Sequence, residues 1–260
     1  MADALTQVPR RRTSILRGAM LTVGMRWTDR LIGFVSTLIL ARLLVPDDFG
    51  VIAAASLVIA FIEVMSELGV HVALIQNRNT TQAHFDTAWT IRLLQGVATS
   101  VLIAAAAPYG AQYFDDPRLT LVLQLMAIGV AVSAFENIGV IEFQKEMRFD
   151  DDFRFVFLKR IVRFVITIAA AWYLRNYWAF VVAALAGRLF AVALSYLLHP
   201  MRPRWSFEKW REILGISQWM LVRSIGMYLN GGLHRIVVGG RGDAAVLGGY
   251  TMANEISALP

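Results

Sequence analysis

Long apolar stretches separated by short polar segments dominate the chain from about residue 18 onwards. A helix that crosses a bilayer needs about 20 consecutive, mostly apolar residues. Seven stretches reach that length, and an eighth begins near Leu247. We therefore predict an all-α integral membrane protein. The seven predicted helices cover residues 18–44, 50–75, 87–111, 119–143, 154–174, 177–198 and 213–239.

The spacing of these stretches divides the chain into four parts. Residues 1–17 are a polar, basic N-terminus, and residues 18–198 hold six predicted helices that we expect to form one lobe. Residues 199–212 are a polar linker, and residues 213–260 begin a second lobe with helix seven and part of helix eight. Because Pro260 falls inside the eighth apolar stretch, we expect the sequence to be a fragment of a longer protein or a truncated gene product.

Matching positions at a nearly constant offset indicate an internal repeat. Each pair is separated by 197 or 198 residues, and the pairs are Gly18 with Gly215, Arg26 with Arg223, and Gly50 with Gly248. Helix one would then correspond to helix seven, in a parallel repeat of the kind found in some transporters. Because glycine and arginine are common in this chain, chance agreement is the alternative.

Composition supports a membrane protein and argues against two other classes. The chain is 57% hydrophobic and 17% charged, against about 45–50% and about 25% in soluble domains. Its net charge of +6 would suggest nucleic acid in a soluble protein, but the charges here punctuate apolar runs, so we expect no nucleic-acid partner. The absence of cysteine excludes disulfides and thiolate metal sites.

Positive charge alternates between the predicted loops and sets the orientation. Cytoplasmic loops of membrane proteins are enriched in Lys and Arg. One set of alternate loops carries 12 such residues and the other carries 4, namely Arg42, Arg118, Arg175 and Arg241. This predicts a cytoplasmic N-terminus. Trp205 and Trp210 lie near predicted helix ends, where such rings prefer the membrane interface.

Helix one carries three ionisable residues on one predicted face, Arg26, Asp29 and Arg30. An ionisable side chain at the bilayer centre costs about 2.5–3.5 kcal/mol, so such residues are paired or face a cavity. Guanidinium groups donate two hydrogen bonds to a phosphate and stay charged. The cluster therefore predicts a cavity site for an anionic head group. The alternative is an internally paired lock between helices.

Helix two carries a matching anionic row, Glu63, Glu67 and His71, at intervals of four residues. Counting outward from the turn at Asp47 and Asp48, this row lies level with Arg30. One interpretation is a protonation or ion-coupling relay. The other is a set of counter-ions for the helix-one arginines.

Further charges are scattered through the predicted helices. Arg188 in helix six and Arg223 in helix seven are added to the predicted cavity site because both lie well inside apolar stretches. Arg92 is expected to extend towards the interface. A basic group at the cytoplasmic end of helix five is expected to anchor the topology, and it consists of Lys159, Arg160 and Arg163.

No motif of enzyme chemistry is present in the sequence. Nucleotide-binding, zinc-protease and serine-hydrolase signatures are absent, so we predict no catalytic residue, no metal and no cofactor. The run Asp150-Asp151-Asp152 is interpreted as a solvated turn. Without an ATP site, any transport would be driven by an ion gradient, the membrane potential or the flux of substrate.

Several short motifs resemble those of polysaccharide-export flippases, the Wzx-like branch of the multidrug/oligosaccharidyl-lipid/polysaccharide superfamily. The likeness covers the chain from about residue 15 and is closest to the colanic-acid or succinoglycan type of exporter. The motifs are residues 38–50 (LILARLLVPDDFG), 84–90 (HFDTAWT), 137–139 (NIG), 177–179 (YWA), 199–203 (HPMRP) and 249–256 (GYTMANEI).

The resemblance implies two six-helix lobes around a central cavity, with alternating access. It also implies a bacterial inner-membrane location and an undecaprenyl-pyrophosphate-linked oligosaccharide as cargo. The implied partners are that carrier, membrane lipid, and a polysaccharide polymerase with its chain-length machinery. The motifs themselves are mainly turns, so the predicted site residues rest on the charge argument.

Two other functions compete with this interpretation. An ion-coupled drug or metabolite exporter of the same fold should have a pocket rich in acidic and aromatic groups, whereas helices one and seven carry arginines. A membrane-bound polymerase or ligase should have a large outer loop with catalytic residues, and every predicted outer loop is short. Both comparisons favour the flippase.

Overall fold

The protein is described by a computed structural model that covers most of the chain. The described residues are 24, 27, 28, 30–77, 79–215, 225, 226, 248–251 and 253. Every regular element within them is helical. The basic N-terminus and most of predicted helix seven therefore lie outside the described residues.

Nine α-helices and one 3₁₀ turn are formed by residues 30–215. They are α1 (residues 30–43), α2 (Pro46–Ser66), α3 (Val70–Gln76), α4 (Gln82–Tyr113), α5 (Arg118–Ala134), the 3₁₀ turn (Ile138–Val140), α6 (Ile141–Lys145), α7 (Phe149–Leu174), α8 (Trp178–Leu198) and α9 (residues 210–215).

Three of the described helices, α2, α4 and α8, are long and apolar enough to cross a membrane. A fourth span is possible in length and composition if α5 and α6, which are bent by 68°, count as one. Helix α7 has 26 residues and joins the same two ends of the bundle, but it is more highly charged. The all-α membrane fold predicted from hydropathy is confirmed.

Two predicted helices are interrupted in the structure. The predicted helix 50–75 is wrong at its C-terminal end, because α2 stops at Ser66 and the chain turns through Gly69, whose φ of 61° is in the left-handed region. The carboxylate of Glu67 accepts the Gly69 N–H, which stabilises the break. The predicted helix 119–143 is likewise divided where α5 ends at Ala134.

Helix packing creates an inner face of small residues and an outer face of large apolar ones. Helix α5 packs between α4 and α8, while α7 packs on α8 and α2 packs on α4 and α5. The main core is rich in alanine, which allows close approach of helices in membranes. Leu94, Val101, Val165 and Leu189 are exposed on the outer surface, as a lipid-facing surface requires.

The connections between helices gather at two opposite ends of the bundle. The turns near Pro46, Asp116 and Tyr177 contact one another at one end. The segments near Asn77, Lys145 and His199 gather at the other end. This arrangement agrees with the alternation of loops in the predicted topology. We call these the outer end and the cytoplasmic end, according to that topology.

The orientation can be tested with cysteines at Asn176 and Arg202, which lie at opposite ends. In intact cells, an impermeant thiol reagent should label Asn176→Cys and should label Arg202→Cys only after the membrane is opened. The sequence has no native cysteine, so label on the protein reports the introduced position. Labelling of both variants in intact cells would contradict the predicted orientation.

Candidate functional site

Arg188 lies in the middle of α8 at the centre of a group of charged residues. Its Nη2 is 3.8 Å from Oε1 of Glu63 on α2. Nη1 is buried and has no hydrogen-bond partner among the described residues. A Cβ on Gly129 would come within 3.2 Å of Cδ of Arg188, so this glycine on α5 provides the space for the side chain.

Helix α7 contributes two further arginines to this group. Arg163 packs beside Gly187 of α8, where a Cβ would lie 3.5 Å from its Cγ, and its charge is repelled by Arg160 and Arg188. Nη2 of Arg160 would lie 3.6 Å from a Cβ on Gly33 of α1. The arginine cluster, defined here as Arg160, Arg163 and Arg188, therefore lies where α1, α7 and α8 meet.

The arginine cluster differs in two ways from the sequence prediction. Arg160 and Arg163 were expected to anchor the cytoplasmic end of helix five. Arg163 instead approaches the middle of α8, because α7 begins at Phe149 and Arg163 is more than halfway along it. Glu63, expected opposite helix one, has Arg188 as its cationic neighbour.

The structure describes only part of predicted helix one, so only some of its predicted site residues can be located. Arg26, Asp29 and Arg223 lie outside the described residues, so their predicted positions stay predictions. Arg30 is described and is exposed near the start of α1. Gly33, one turn further on, is the residue that approaches Arg160.

The predicted anionic row does not lie on one helix face. Glu67 ends α2 and accepts the N–H of Gly69, and His71 belongs to the separate helix α3. Nε2 of His71 is 3.1 Å from Oε1 of Gln144 on α6. The regular spacing used for the predicted relay is therefore wrong, because the helix breaks between Glu67 and His71.

A second ionic group links three helices near the cytoplasmic end. The largely buried carboxylate of Glu136 accepts hydrogen bonds from Arg92 at 3.1 Å and from Lys159 at 2.9 Å. Arg92 was expected to extend towards the interface, but it pairs with this carboxylate. The group therefore connects α4 and α7 to the bend after α5. Removing one of its members would leave a buried charge without its partner, which is strongly destabilising.

Asn137 organises that bend. Its side chain is fully buried, its Oδ1 accepts the Gly139 N–H, and its amide donates to the backbone carbonyls of His199 and Met201. Its backbone N–H donates to Oγ of Ser195. One residue thus connects the α5–α6 bend with the end of α8 and the start of the linker.

His199 is held tightly beside Asn137. Its Nε2 is 3.0 Å from Oε2 of Glu142, and its Nδ1 accepts the N–H of Met201 at 3.3 Å. A Cβ on Gly139 would lie 2.2 Å from Nδ1 of His199, so any larger residue at this position would overlap the imidazole ring unless the ring moved. Only glycine therefore fits at position 139 in this arrangement.

The linker strap, residues 199–212, continues across the start of α4. Backbone N–H groups of Arg204, Ser206 and Lys209 donate to side chains of α4. The acceptors on α4 are Asp86, Thr90 and Thr87. Because these acceptors are buried, the strap is fixed in position and does not hang from the bundle as a free loop.

Ionic contacts hold the far end of the strap. Nε2 of His84 is 2.9 Å from Oε2 of Glu212, and Lys209 donates to Oε1 of the same carboxylate. These bonds, that of Lys209 first, lower the pKa of Glu212 below its ordinary value. The motifs at residues 84–90, 137–139 and 199–203 therefore meet at one site. The sequence analysis interpreted the motifs as mainly turns and did not predict that these three contact one another.

The outer end is held by carboxylates at the start of α2. Asp48 is buried and accepts backbone N–H groups from Val45 at 3.3 Å and from Tyr177 at 3.0 Å. Asp47 and Asp116 both bind Arg118. Asp48 therefore joins the α1–α2 turn to the α7–α8 turn, and Arg118 joins the α1–α2 turn to the α4–α5 turn.

Gly248 approaches this outer end closely. A Cβ on Gly248 would lie 2.5 Å from the carbonyl oxygen of Pro46 and 2.9 Å from the backbone nitrogen of Gly50. Gly50 and Gly248 are corresponding positions in the predicted repeat. The repeat itself stays a prediction.

Comparison with known proteins places the chain among membrane proteins of polysaccharide pathways. It is 24% identical over 238 residues to an uncharacterized membrane protein in the cps region of Klebsiella pneumoniae. It is 22% identical over 237 residues to the lipopolysaccharide biosynthesis protein WzxC of Escherichia coli, and 22% identical over 231 residues to the succinoglycan biosynthesis transport protein ExoT of Rhizobium meliloti. No solved structure matches.

The matches cover most of this chain but only part of each relative. They include 88%, 88% and 87% of this chain and 48%, 47% and 46% of the respective relatives. The chain thus spans about half the length of the curated relatives it matches. A family model described as "Polysaccharide biosynthesis protein" matches residues 39–260, which is most of the sequence. The chain therefore belongs to the polysaccharide biosynthesis protein family.

Proposed function

We propose that this chain forms the first lobe of a transporter that moves undecaprenyl-pyrophosphate-linked oligosaccharide units from the cytoplasmic to the outer face of the bacterial inner membrane. The single observation that supports this best is the arginine cluster, in which Arg188 lies 3.8 Å from the carboxylate of Glu63 while Arg160 and Arg188 both repel the charge of Arg163. The relatives named for lipopolysaccharide biosynthesis and for succinoglycan transport support the same class of cargo.

The surroundings of Arg188 suit an anionic cargo. Arg188 has one buried nitrogen without a partner among the described residues, and its 3.8 Å contact with Glu63 is too long for a hydrogen bond. A pyrophosphate offers several acceptor oxygens that a guanidinium can bind in pairs. Binding of cargo would therefore satisfy Arg188 better than Glu63 does in this structure.

The remaining predicted site residues complete the proposal. We place Arg26, Arg30 and Arg223 with Arg188 around the pyrophosphate, and we assign Asp29 and Glu63 as counter-ions or coupling groups. Glu67 and His71, which bind Gly69 and Gln144, are not included. An ion-coupled drug exporter of the same fold is the alternative function. The buried Nη1 of Arg188, which has no partner among the described residues, favours an anionic cargo over a cationic drug.

The test is polysaccharide export in a strain that lacks this gene and carries Arg188→Ala or Arg188→Lys. A hydrogen bond to a charged group contributes about 1.5–3 kcal/mol, so Arg188→Ala should reduce export roughly 10- to 100-fold. Arg188→Lys should restore only part of it, because ammonium lacks the planar pair of donors. Export is compared at equal abundance in the membrane.

Arg154→Ala is the matched control, because Arg154 is an exposed arginine on the same helix as Arg163, nearer the cytoplasmic end. It should export normally, whereas Arg163→Ala should be impaired. Normal export by both Arg188→Ala and Arg163→Ala would overturn the proposed site. Variants that are inserted at normal abundance, keep sugar export and make the cells more sensitive to drugs would favour the alternative.

A further inference from the structure

The linker strap presents three large aromatic side chains away from the bundle. Trp205, Phe207 and Trp210 are 63%, 55% and 45% exposed. Trp205 touches Trp89 of α4 by its edge, with ring centroids 5.7 Å apart, yet most of its surface is open. Three such rings within six residues form an exposed apolar patch, and patches of this kind mark sites that contact another molecule or a membrane.

The backbone that carries the aromatic rings is held against α4. The backbone between them is fixed, because N–H groups of Arg204, Ser206 and Lys209 donate to buried side chains of α4. The strap therefore has one side bound to the protein and an opposite side that displays the rings.

Positive charge accompanies these rings. Arg202, Arg204 and Arg211 are exposed, and the guanidinium of Arg211 lies 5.5 Å from the ring of Trp210. The strap also carries Glu208 and Glu212, but Glu212 is already bound by His84 and Lys209. The exposed side of the strap is therefore aromatic and cationic.

A bilayer surface that contains acidic phospholipid fits both properties. Tryptophan prefers the boundary between head groups and acyl chains, and basic residues bind the negative surface of the cytoplasmic leaflet. The strap also starts directly at the end of α8, so it lies where a spanning helix leaves the membrane.

We infer that the linker strap is a lipid-binding element. Trp205, Phe207 and Trp210 insert into the head-group layer, while Arg202, Arg204 and Arg211 bind the phosphates of acidic phospholipids. Because the strap is hydrogen-bonded to α4 and joined to the bend through Asn137, lipid binding holds this end of the bundle at a defined depth. The inference does not depend on the identity of the cargo.

The full chain can be tested after purification and reconstitution into phosphatidylcholine vesicles with added phosphatidylglycerol. Brominated lipid quenches tryptophan fluorescence on contact. Brominated phosphatidylglycerol should quench more strongly than brominated phosphatidylcholine, and the excess should shrink as salt is raised. The excess should disappear in the double variant Trp205→Phe, Trp210→Phe.

Further variants test whether the positive charge of the strap causes the excess quenching by phosphatidylglycerol. Arg204→Gln with Arg211→Gln should abolish the excess quenching by phosphatidylglycerol, while Arg204→Lys with Arg211→Lys should keep most of it. Trp172→Phe is the matched control, since Trp172 is similarly exposed but lies near the outer end of α7. That control should retain the excess quenching.

Three results would overturn the inference. Equal quenching by the two lipids in the unaltered protein would exclude a preference for acidic phospholipid. Excess quenching that persists in the Trp205→Phe, Trp210→Phe variant would place the preference elsewhere in the chain. Strap tryptophans that neither lipid quenches would show that protein covers the rings, which is the competing arrangement.

Discussion

Replacing Asn137 with leucine should destabilise the protein by roughly 2–6 kcal/mol, although leucine has almost the same size. The buried Gly139 N–H would lose its acceptor, and the carbonyls of His199 and Met201 would keep only the guanidinium of Arg202 as a donor. An unsatisfied buried group costs about 1–3 kcal/mol, and each lost hydrogen bond costs about 0.5–1.5 kcal/mol. Because domains are stable by only about 5–15 kcal/mol, much of the protein should fail to accumulate in the membrane.

Thermal unfolding in detergent, followed together with membrane abundance, measures this effect. Asn176→Leu is a suitable control, because the side chain of Asn176 makes one hydrogen bond among the described residues, from the Trp178 N–H, in a half-buried turn. Its loss should cost about 0.5–1.5 kcal/mol. If Asn137→Leu were no worse than Asn176→Leu, the linker strap would not depend on Asn137.

Replacing Asp48 with alanine should cost about 2–5 kcal/mol and should loosen the outer end of the bundle. The buried carboxylate accepts N–H groups from Val45 and Tyr177, which no other described group replaces. It also lies in the first turn of α2, where a negative charge is favoured by the helix dipole. Without Asp48, the start of α8 loses its bond to the α1–α2 turn.

The neighbouring residue provides the control for this prediction. Asp47 pairs with Arg118, but that pair is solvent-exposed and such pairs contribute at most about 1 kcal/mol. Hydrogen exchange of the Tyr177 amide should therefore speed up in Asp48→Ala and change little in Asp47→Ala. Similar exchange in the two variants would show that the α7–α8 turn is held by packing alone.

Hydropathy predicted most spanning helices because few backbone conformations are stable in lipid. Backbone groups in a bilayer must bond within the segment, so long apolar stretches become helices. The predicted helix 177–198 differs from α8 by one residue at its start. Breaks were harder to predict, because Gly69 and Asn137 stop their helices through local hydrogen bonds that leave the apolar pattern unchanged.

The sequence predicted several residues of the candidate site, but it did not predict which of them contact one another. Arg188 and Glu63 were both singled out from their depth in apolar stretches, but Glu63 was expected to face helix one. Arg163 was interpreted as an anchor, since its position near the start of an apolar stretch is typical of one. Which charges meet depends on how α7 and α8 are rotated and how deeply each is placed, and no local pattern contains that information.

The sequence by itself determined the class of this protein: an all-α membrane protein whose motifs resemble polysaccharide exporters. Bilayer thickness and unpaired backbone groups impose that class on any chain with these apolar stretches. Only the tertiary structure decided that residues 84–90, 137–139 and 199–212 form one site at the cytoplasmic end. Their hydrogen bonds join residues 58 to 128 positions apart, and such long-range pairing depends on the packing of whole helices.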